Sequence, residues 1–433
     1  MNNLANELNS VLDATVAGRL LSSLGRRLYF PRGIIAQSAE AKKSAYKANA
    51  TIGMAYDQGK PLILSAIADA MPSLSAPEIV GYAPTAGVEE ARLSWKRRIL
   101  EKNPALTGEA ISLPIVVPGL TAGISYTADL FFDEGSSIIM SYPHWDNYEL
   151  IFQERRGAKI VEIPFFGTDD GLDINAISAA VRSAAKTGVL RIILNFPNNP
   201  AGYAPTHDEV DALVSLVAEA ANSGADVLVL CDDAYFGLFY EDTVSRESLF
   251  TRLSSLHERV LAIKIDGPTK EDYVWGFSVG FVTFGSRGLK AEHYDALVKK
   301  YMGAIRSSVS CSNTAAQHLI MRSVADKRTA SERKAFYSLL KNRYLAVRRF
   351  IDEQPRHPYL KALPFNSGYF MSFQCIGINA DDLRRELLEQ HGIGTIAFGD
   401  EYLRIAFASL DEALIQGVYQ TIYETARTAA KRL

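Results

Sequence analysis

Three short segments of this 433-residue chain carry side chains that are able to do chemistry. Asn198-Asn199-Pro200-Ala201-Gly202 offers amides, Asp232-Asp233-Ala234-Tyr235 offers carboxylates and a phenol, and Thr269-Lys270 offers an amine. An amine can hold an aldehyde as a Schiff base. A buried carboxylate can keep a pyridine nitrogen protonated, and an amide or a phenol can donate a hydrogen bond to a phenolate oxygen.

Together these groups meet the needs of one cofactor, pyridoxal phosphate. We therefore predict an enzyme in which Lys270 holds the cofactor, Asp232 contacts its ring nitrogen, and Asn199 and Tyr235 contact its phenolic oxygen. Each side chain also has a plainer interpretation: a lone lysine after a strand is usually a solvated loop residue, Asp232 or Asp233 could cap a helix, and an Asn-Asn-Pro sequence is a natural turn. The order of the three segments favours the cofactor.

Short β-branched segments alternate with helical segments from about residue 60 onward, and this alternation is typical of a buried, mostly parallel sheet. Active groups in such a sheet lie where the strands end, at the carboxyl edge. Asn199, Asp232 and Lys270 each follow a predicted strand by a few residues, so one edge could gather all three. The predicted strands span residues 115–117, 137–140, 159–163, 190–194, 226–231, 260–265 and 277–284.

The chain is too long for one simple core and predicts two domains. We expect an α/β fold with a large cofactor-binding domain over residues 60–325. A smaller α+β domain would be built from both chain ends, residues 1–59 and 326–433. Helical spacing of apolar residues predicts an N-terminal helix over 4–24 and a long connecting helix over 332–353.

Composition and charge exclude several classes of function. The net charge is −3, so no broad basic field favours nucleic acid or an anionic membrane. The three cysteines lack a CxxC motif, and the seven histidines lack metal-ligand spacing, so we expect neither a disulfide framework nor a metal site. Residues 1–9 show no signal peptide, and no apolar stretch reaches the length of a membrane span. A cytoplasmic protein is expected.

The motifs, taken in order from about residue 59 to 408, resemble the fold-type-I pyridoxal-phosphate enzymes, specifically the class I/II aminotransferases of the aspartate aminotransferase type. Asn199-Pro200-Ala201-Gly202 resembles the family's Asn-Pro-Thr-Gly, and Asp232 to Tyr235 resembles its Asp-x-Ala-Tyr. Lys270 has the family's spacing to Gly276 and Gly280. The resemblance implies transfer of an amino group between an amino acid and a 2-oxo acid, with Lys270 as the Schiff-base lysine and proton shuttle.

The resemblance also implies roles for residues outside the three segments. Thr121, Ala122 and Gly123 would open a helix under the cofactor phosphate, where backbone amides favour an anion. Trp145 would stack on the pyridine ring, and Arg404 would bind the substrate carboxylate. Two further positions complete the set: Thr269, beside the lysine, would contact the cofactor, and Tyr82 would reach the phosphate of a neighbouring subunit, which implies a homodimer with shared active sites.

Two positions depart from the family at the phosphate. Eight residues after the lysine the family has an arginine, and this chain has Ser278; three residues before the lysine it often has a serine, and this chain has Gly267. Loss of a charge-assisted pair predicts that the cofactor is held less tightly than in typical relatives. Arg287 and Arg306 are candidates for a replacement cation.

Other functions remain open at this point. The same cofactor supports elimination and decarboxylation, so a lyase or a decarboxylase is an alternative, as is a non-catalytic relative with weakened cofactor binding. Gly276-Phe277-Ser278-Val279-Gly280 also matches the Gly-x-Ser-x-Gly elbow of hydrolases, which needs a strand before the serine and a helix after it. The stretch after Ser278 predicts a strand, which disfavours the hydrolase.

Overall fold

The computed structural model describes residues 34–51, 53–106 and 111–430, with positions 3, 6, 7 and 10 near the N-terminus. Most of the helix predicted over 4–24 lies outside the described residues. The helices longer than one turn are Ile34–Ser44, Ser65–Ala70, Ala76–Val80, Glu89–Lys102, Leu120–Phe131, Ile174–Ala185, His207–Asn222, Leu249–Leu253, Pro268–Glu271, Ala291–Arg306, Thr314–Ala325, Lys327–Glu353, Ala380–His391 and Glu412–Ala430, with a π-helix at Glu149–Glu154.

The strands form one large sheet, one smaller sheet and two short pairs. In chain order the strands are β1 (Ala48–Asn49), β2 (Tyr56–Asp57), β3 (Lys60–Pro61), β4 (Ile115–Val117), β5 (Ser137–Tyr142), β6 (Lys159–Pro164), β7 (Val189–Asn195), β8 (Asp226–Asp232), β9 (Val260–Asp266), β10 (Gly280–Gly285), β11 (Leu360–Ala362), β12 (Met371–Cys375), β13 (Ile393–Gly394), β14 (Ile396–Phe398) and β15 (Tyr402–Ile405).

The large sheet has seven strands in the order β4-β10-β9-β8-β7-β5-β6. Strand β10 runs antiparallel to both of its neighbours, and the remaining pairs are parallel. The expected mostly parallel α/β sheet is therefore confirmed. Its crossing order places consecutive strands β7, β8 and β9 side by side, so their carboxyl ends share one edge.

Both faces of the large sheet are covered by helices, which explains why its strands are apolar without interruption. On β8, Val229 packs in the cluster that contains the helix His207–Asn222, whereas Leu230 packs on the opposite face with the helix Leu120–Phe131. Successive side chains of a strand point to opposite faces. The end of β8 therefore sends neighbouring side chains to different sides of the sheet.

The smaller sheet is antiparallel, in the order β11-β12-β15-β14, and packs with the helices Ala380–His391 and Glu412–Ala430. Strand β1, from the N-terminal part of the chain, pairs with β13 of this region. The smaller unit of strands and helices is thus present alongside the large sheet. Among the described residues, the helices are too short or too polar to cross a membrane.

Some element boundaries differ from those predicted. The strand expected to begin at residue 277 begins at Gly280, because Trp275–Phe277 forms a 3-10 turn and Ser278 has a positive φ of 49°. The helix expected to begin at residue 332 begins at Lys327, where Asp326 caps it by accepting a bond from the Arg328 amide. Neither shift moves a predicted site residue away from the sheet edge.

Candidate active site

A cavity of about 340 Å³ opens at the carboxyl ends of β7, β8 and β9. The register explains the convergence, because Asn195 lies opposite Asp232 and Asp232 lies opposite Ile265. Three segments therefore leave the sheet side by side. The predicted residues that line the cavity are Thr121, Trp145, Asn199, Asp232, Tyr235, Thr269, Lys270, Ser278 and Arg404.

Lys270 lies in the short helix Pro268–Glu271, which follows β9 directly. Its backbone carbonyl accepts a hydrogen bond of 2.6 Å from the Tyr369 hydroxyl, and its Nζ lies 5.4 Å from the centroid of the Tyr235 ring. Burial lowers the pKa of Lys270 to about 8, with Asp232 acting in the opposite direction. A useful fraction of the amine is therefore neutral and nucleophilic near neutral pH.

We expect the rate of capture of an aldehyde by Lys270 to rise about tenfold per pH unit below pH 8 and to level off above it. The reason is that a lowered pKa makes the neutral amine abundant at a lower pH than for a surface lysine. The measurement is the pre-steady-state rate of absorbance change after mixing the apoprotein with pyridoxal phosphate between pH 6 and 10. A rate that keeps rising to pH 10 would contradict the lowered pKa.

A buried ionic network fixes the turn that carries Lys270. Arg98 donates to Glu271 at 2.7 Å and to Asp272 at 2.5 and 2.9 Å, and Arg333 donates to Asp272 at 2.6 Å. Burial would raise the pKa of Glu271, but the cations Lys102 and Arg98 hold it at about 2. Glu271 is thus held as a carboxylate, and both residues after the lysine are anchored to the helix Glu89–Lys102 through Arg98. No periodic pattern in the sequence indicates this pairing.

Asp232 is buried and accepts two hydrogen bonds. The Tyr148 hydroxyl donates to Oδ2, and the backbone N–H of Ala234 donates to Oδ1 at 3.2 Å. Burial raises the pKa of Asp232 to about 6, while these two donors oppose the rise. Asp233 points to the other face of the sheet, where Lys264 and Ser248 donate to it. The preference for Asp232 over its neighbour follows from this alternation.

Asn199 lies where the segment after β7 meets β15. Its amide oxygen accepts a hydrogen bond of 2.8 Å from Arg404, which leaves its NH₂ group as a donor. Its backbone N–H donates to Asn195 at 2.9 Å, and Asn195 in turn donates to the Asp232 carbonyl at 2.9 Å. Asn195 therefore joins the ends of β7 and β8, a role that sequence reasoning missed.

Gly202 shows why the Asn-Pro-Ala-Gly segment ends in glycine. Its φ is +77°, and a Cβ at this position would lie 1.9 Å from the carbonyl oxygen of Phe370. A side chain there would push the segment away from the smaller sheet. The turn therefore brings Asn199 and Arg404 together as well as reversing the chain.

Tyr235 is buried beside Tyr369 and Phe370, with ring centroids at 5.5 and 5.4 Å. Burial raises the pKa of its phenol, while Arg404 acts to lower it. The hydroxyl therefore remains protonated and able to donate at physiological pH. This is the property that the predicted contact with a phenolate oxygen requires.

Arg404 is a buried guanidinium, 2% exposed, that donates hydrogen bonds to neutral oxygens, while the charge of Asp146 acts to raise its pKa. It donates to the Thr51 carbonyl at 3.0 Å, and its carbon Cζ lies 4.2 Å from the Phe370 ring centroid. Its Nε has no hydrogen-bond partner. Burial lowers its pKa to about 10, so it remains charged at neutral pH. A buried cation that is hydrogen-bonded to neutral oxygens is costly, which suits a site for an anionic ligand.

Another part of the cavity is lined by hydroxyl groups and by the start of the helix Leu120–Phe131. Thr121, Thr269 and Ser278 all line it, beside the amides of the first helical turn. Gly267 is tightly packed, since a Cβ there would lie 3.0 Å from both Leu120 and the Val279 carbonyl. A serine at this position would therefore need the neighbouring backbone to move.

No replacement for the missing arginine lines this part of the cavity among the described residues. The cations that line the cavity are Lys270 and Arg404, and neither Arg287 nor Arg306 is among the lining residues. Arg306 is exposed and donates to the Ser310 hydroxyl instead. Among the described residues, neither predicted candidate therefore replaces the missing arginine in the lining of the cavity.

Ala122 and Gly123 do not line the cavity. The backbone N–H of Gly123 donates to the Gly119 carbonyl at 3.2 Å, and a Cβ on Gly123 would lie 3.1 to 3.3 Å from side chains of the sheet. Gly123 therefore allows close packing of its helix on β4, β9 and β10. The Gly123 amide is already bonded within the helix, because only the first turn of a helix has free amides, whereas Ala122 lies in that first turn but outside the cavity lining.

Trp145 lines the cavity, and Tyr82 does not. The Trp145 ring packs edge-on to Tyr148 with centroids 5.5 Å apart. Its carbonyl lies 3.1 Å from Nδ1 of His144, whose Nε2 lies 3.1 Å from Glu162. His144, Glu149 and Glu162 offer ligand atoms within 4.8 Å of one another.

Tyr82 is 92% exposed, so it is free to contact another molecule.

The hydrolase alternative does not fit the geometry around Ser278. The serine follows the 3-10 turn Trp275–Phe277 and precedes strand β10. A nucleophile elbow has the reverse order, with a strand before the serine and a helix after it. Ser278 therefore lacks the setting that activates a hydrolase nucleophile.

A family model described as Aminotransferase class I and II matches residues 52–422. The chain belongs to this family. Its members depend on pyridoxal phosphate, and the resemblance found in the sequence motifs is thereby confirmed. The amine of Lys270, the carboxylate of Asp232 and the buried guanidinium of Arg404 are chemically suited to the aldehyde, the ring nitrogen and an amino-acid carboxylate, respectively.

Individual aminotransferases are similar to this chain at low identity. An aspartate aminotransferase from Sulfurisphaera tokodaii is 22% identical over 352 residues, which cover 78% of this chain and 80% of that protein. An aspartate/prephenate aminotransferase from Thermus thermophilus is 23% identical over 343 residues, covering 77% and 80%. The solved structure of an aminotransferase from Anaerococcus prevotii matches with a TM-score of 0.80 at 21% identity, covering 93% of this chain and 98% of that chain. The aminotransferase fold is therefore shared.

Proposed function

We propose that this aminotransferase uses pyridoxal phosphate to move an amino group between an amino acid and a 2-oxo acid, with Lys270 as the Schiff-base lysine. The observation that carries the proposal is one cavity that holds the buried amine of Lys270, the buried carboxylate of Asp232 and the buried guanidinium of Arg404. Each of these groups is costly to bury. Their concentration in one cavity is explained by ligand binding rather than by stability.

When bound, pyridoxal phosphate supplies an electron sink for the charge that develops at the substrate α-carbon. Lys270 Nζ would hold the cofactor through its aldehyde and would carry a proton between the substrate α-carbon and the C4′ carbon of the cofactor. Asp232 holds a proton on the ring nitrogen. Asn199 and Tyr235 donate hydrogen bonds to the phenolic oxygen.

The remaining predicted residues bind and orient. Arg404 binds the substrate carboxylate and so fixes which bond to the α-carbon is aligned for cleavage. Trp145 covers the cofactor ring, and the backbone amides at Thr121, together with Thr269 and Ser278, contact the phosphate. Because one end of the chain's own cavity lacks a cation, we also propose a homodimer in which Tyr82 of a neighbouring subunit contacts the phosphate.

Two finer features belong to the same proposal. Residues 60–325 form the cofactor-binding domain, and residues 1–59 and 326–433 form the small domain; the pairing of β1 with β13 supports this division. A dicarboxylic amino acid is the first substrate to test, because similar proteins are named aspartate aminotransferases. A second carboxylate would need a cation from outside the described lining, since Arg404 is its only guanidinium.

The proposal is tested by an absorbance spectrum with pyridoxal phosphate, followed by borohydride reduction and peptide mapping, with Lys270→Met as the control. We expect a visible band in the wild type and a reduced adduct on the peptide that contains Lys270. Screening amino donors with 2-oxoglutarate then separates transamination from elimination or decarboxylation. Absence of the band at high cofactor concentration would favour a non-catalytic relative.

We expect Ser278→Arg to tighten pyridoxal phosphate binding about tenfold to a hundredfold, which corresponds to about 1.5–3 kcal/mol for a charge-assisted hydrogen bond. The reason is that the phosphate end of the cavity offers hydroxyl and amide groups but no cation. The dissociation constant is measured by titration of the apoprotein. Ser278→Gln is the matched control, since it adds length without charge at the same positive φ. A submicromolar wild-type constant that Ser278→Arg leaves unchanged contradicts the prediction.

A further inference from the structure

The partner of Asp232 is a buried tyrosine that the proposed chemistry does not use. Tyr148 is 1% exposed, lines the cavity and donates its hydroxyl proton to Oδ2 of Asp232. Its ring is held between Trp145 and Phe152, with centroids at 5.5 and 6.4 Å. The ring therefore has little freedom to turn, and the hydroxyl is held at the carboxylate.

We propose that Tyr148 is a positioning residue that keeps Asp232 ionised and turned toward the cofactor ring, and so places the shared proton on the pyridine nitrogen. This inference rests on the proposed function. It follows from the geometry because a hydrogen-bond donor stabilises a carboxylate more than a neutral carboxyl group. A carboxylate facing a pyridine shares one proton with it, and a donor on the carboxylate side shifts that proton to the ring.

The other described groups around Asp232 are less able than Tyr148 to stabilise its negative charge. Lys270 attracts the negative charge, but in the loaded enzyme its amine is committed to the aldehyde. Asp233 repels the charge, although it is itself paired with Lys264 on the far face. The Ala234 N–H donates at 3.2 Å, a longer contact than that of Tyr148. Tyr235 is neutral and has no hydrogen bond to Asp232 among the described contacts.

Tyr148 is also suited to remain the donor. Burial, followed by the charge of Asp232, raises the pKa of Tyr148 well above the ordinary value for a phenol. The proton therefore stays on the tyrosine at every pH at which the enzyme would work. Each carboxylate oxygen accepts up to two hydrogen bonds, so the bonds from Tyr148 and Ala234 leave room for the ring N–H.

The test begins with the apoprotein, so that it does not depend on activity. The titration of Asp232 is followed by infrared or carbon-13 NMR spectroscopy of labelled aspartate, with Asp232→Asn identifying the signal. We expect a midpoint near 6 in the wild type and a rise of about one to two pH units in Tyr148→Phe, the equivalent of one hydrogen bond to a charged group. An unchanged midpoint in Tyr148→Phe overturns the proposal, whether or not the protein binds the cofactor.

Tyr203→Phe is the matched control, because Tyr203 is a buried tyrosine that donates to Glu209 at 2.9 Å, away from the cavity. It should leave the Asp232 midpoint unchanged. If Tyr148→Phe does not fold, 3,5-difluorotyrosine placed at position 148 gives a stronger donor and should lower the midpoint instead. If Tyr148 had only a structural role, the two changes would not shift the Asp232 midpoint in opposite directions. A higher Asp232 midpoint with the stronger donor therefore overturns the proposal.

The loaded protein gives a second readout. With cofactor labelled with nitrogen-15 in the ring, the wild type should show the chemical shift of a protonated pyridine, and Tyr148→Phe should move it toward the unprotonated value. If the wild type and Tyr148→Phe show the same nitrogen-15 chemical shift, Tyr148 has no role in protonating the ring. If the wild type binds no cofactor while the Asp232 midpoint still responds to Tyr148, the proposed function fails and the coupling of these two residues stands.

Discussion

Replacing Lys270 with alanine should lower kcat for amino transfer by at least about four orders of magnitude. A positioned acid–base group contributes up to about 10⁴-fold, and this residue also holds the cofactor. No other lysine lines the described cavity, so no neighbouring amine can substitute. The measurement is the steady-state rate with the best amino donor found in the screen, using protein saturated with cofactor.

Chemical rescue separates the lost amine from a damaged fold. The cavity vacated by the Lys270 side chain should admit a small amine such as methylamine, and kcat of Lys270→Ala should then rise in proportion to the concentration of the unprotonated amine. Lys270→Arg is the matched control, because it fills the space and carries charge but cannot hold an aldehyde in this way. If Lys270→Ala keeps more than a few per cent of the wild-type kcat, the assignment of Lys270 as the Schiff-base lysine is wrong.

The sheet edge was predictable because it depends on local patterns. Apolar β-branched runs identify β7, β8 and β9, and the parallel register then brings the segments after them together. The choice of Asp232 over Asp233 rested on another local feature, the spacing of Asp232 to Tyr235, and the alternation of side chains along a strand explains why only Asp232 of the two lines the cavity. These inferences need only the order of residues within a few positions of each strand end.

The contacts that tune the site were not predictable, because they join distant parts of the chain. Tyr148 reaches Asp232 from a helical turn 84 positions earlier, and Thr51 meets Arg404 across 353 positions. The sequence offered only a weak indication that Tyr148 lies near the site: it follows Trp145 by three residues, and positions i and i+3 share a face of a helical turn. Likewise, nothing in the sequence marks Ser278 as the residue with a positive φ that delays β10.

The cavity is therefore uneven in charge. One part of its lining carries the guanidinium of Arg404, whereas Thr121, Thr269 and Ser278 contribute only neutral hydroxyl groups. A ligand with two anionic ends would bind strongly at the guanidinium and weakly at the hydroxyl groups. We therefore expect the replacement of the family's arginine by Ser278 to weaken binding of the cofactor more than binding of the amino acid.

Arg404→Met should lower kcat/KM for an amino acid roughly thirtyfold to several-thousandfold, as expected when removal of one member of a buried charge pair costs about 2–5 kcal/mol. The same change should leave the thermal stability of the apoprotein unchanged or higher. Its guanidinium is desolvated and leaves Nε unsatisfied, so a thioether of similar length relieves a cost of burial. The loss of two hydrogen bonds, to Asn199 and Thr51, works against this gain.

Opposite signs for activity and stability distinguish a ligand-binding arginine from a structural one. Arg404→Lys is the matched control, because it keeps the charge but loses the forked geometry that grips a carboxylate with two parallel bonds; its kcat/KM should lie between those of the wild type and Arg404→Met. An amine without a carboxylate should react with all three proteins at similar rates, since it has nothing for the guanidinium to bind. If Arg404→Met lowers the melting temperature strongly while the carboxylate-dependent preference survives, then the arginine is part of the frame between β15 and Asn199, and another group binds the substrate.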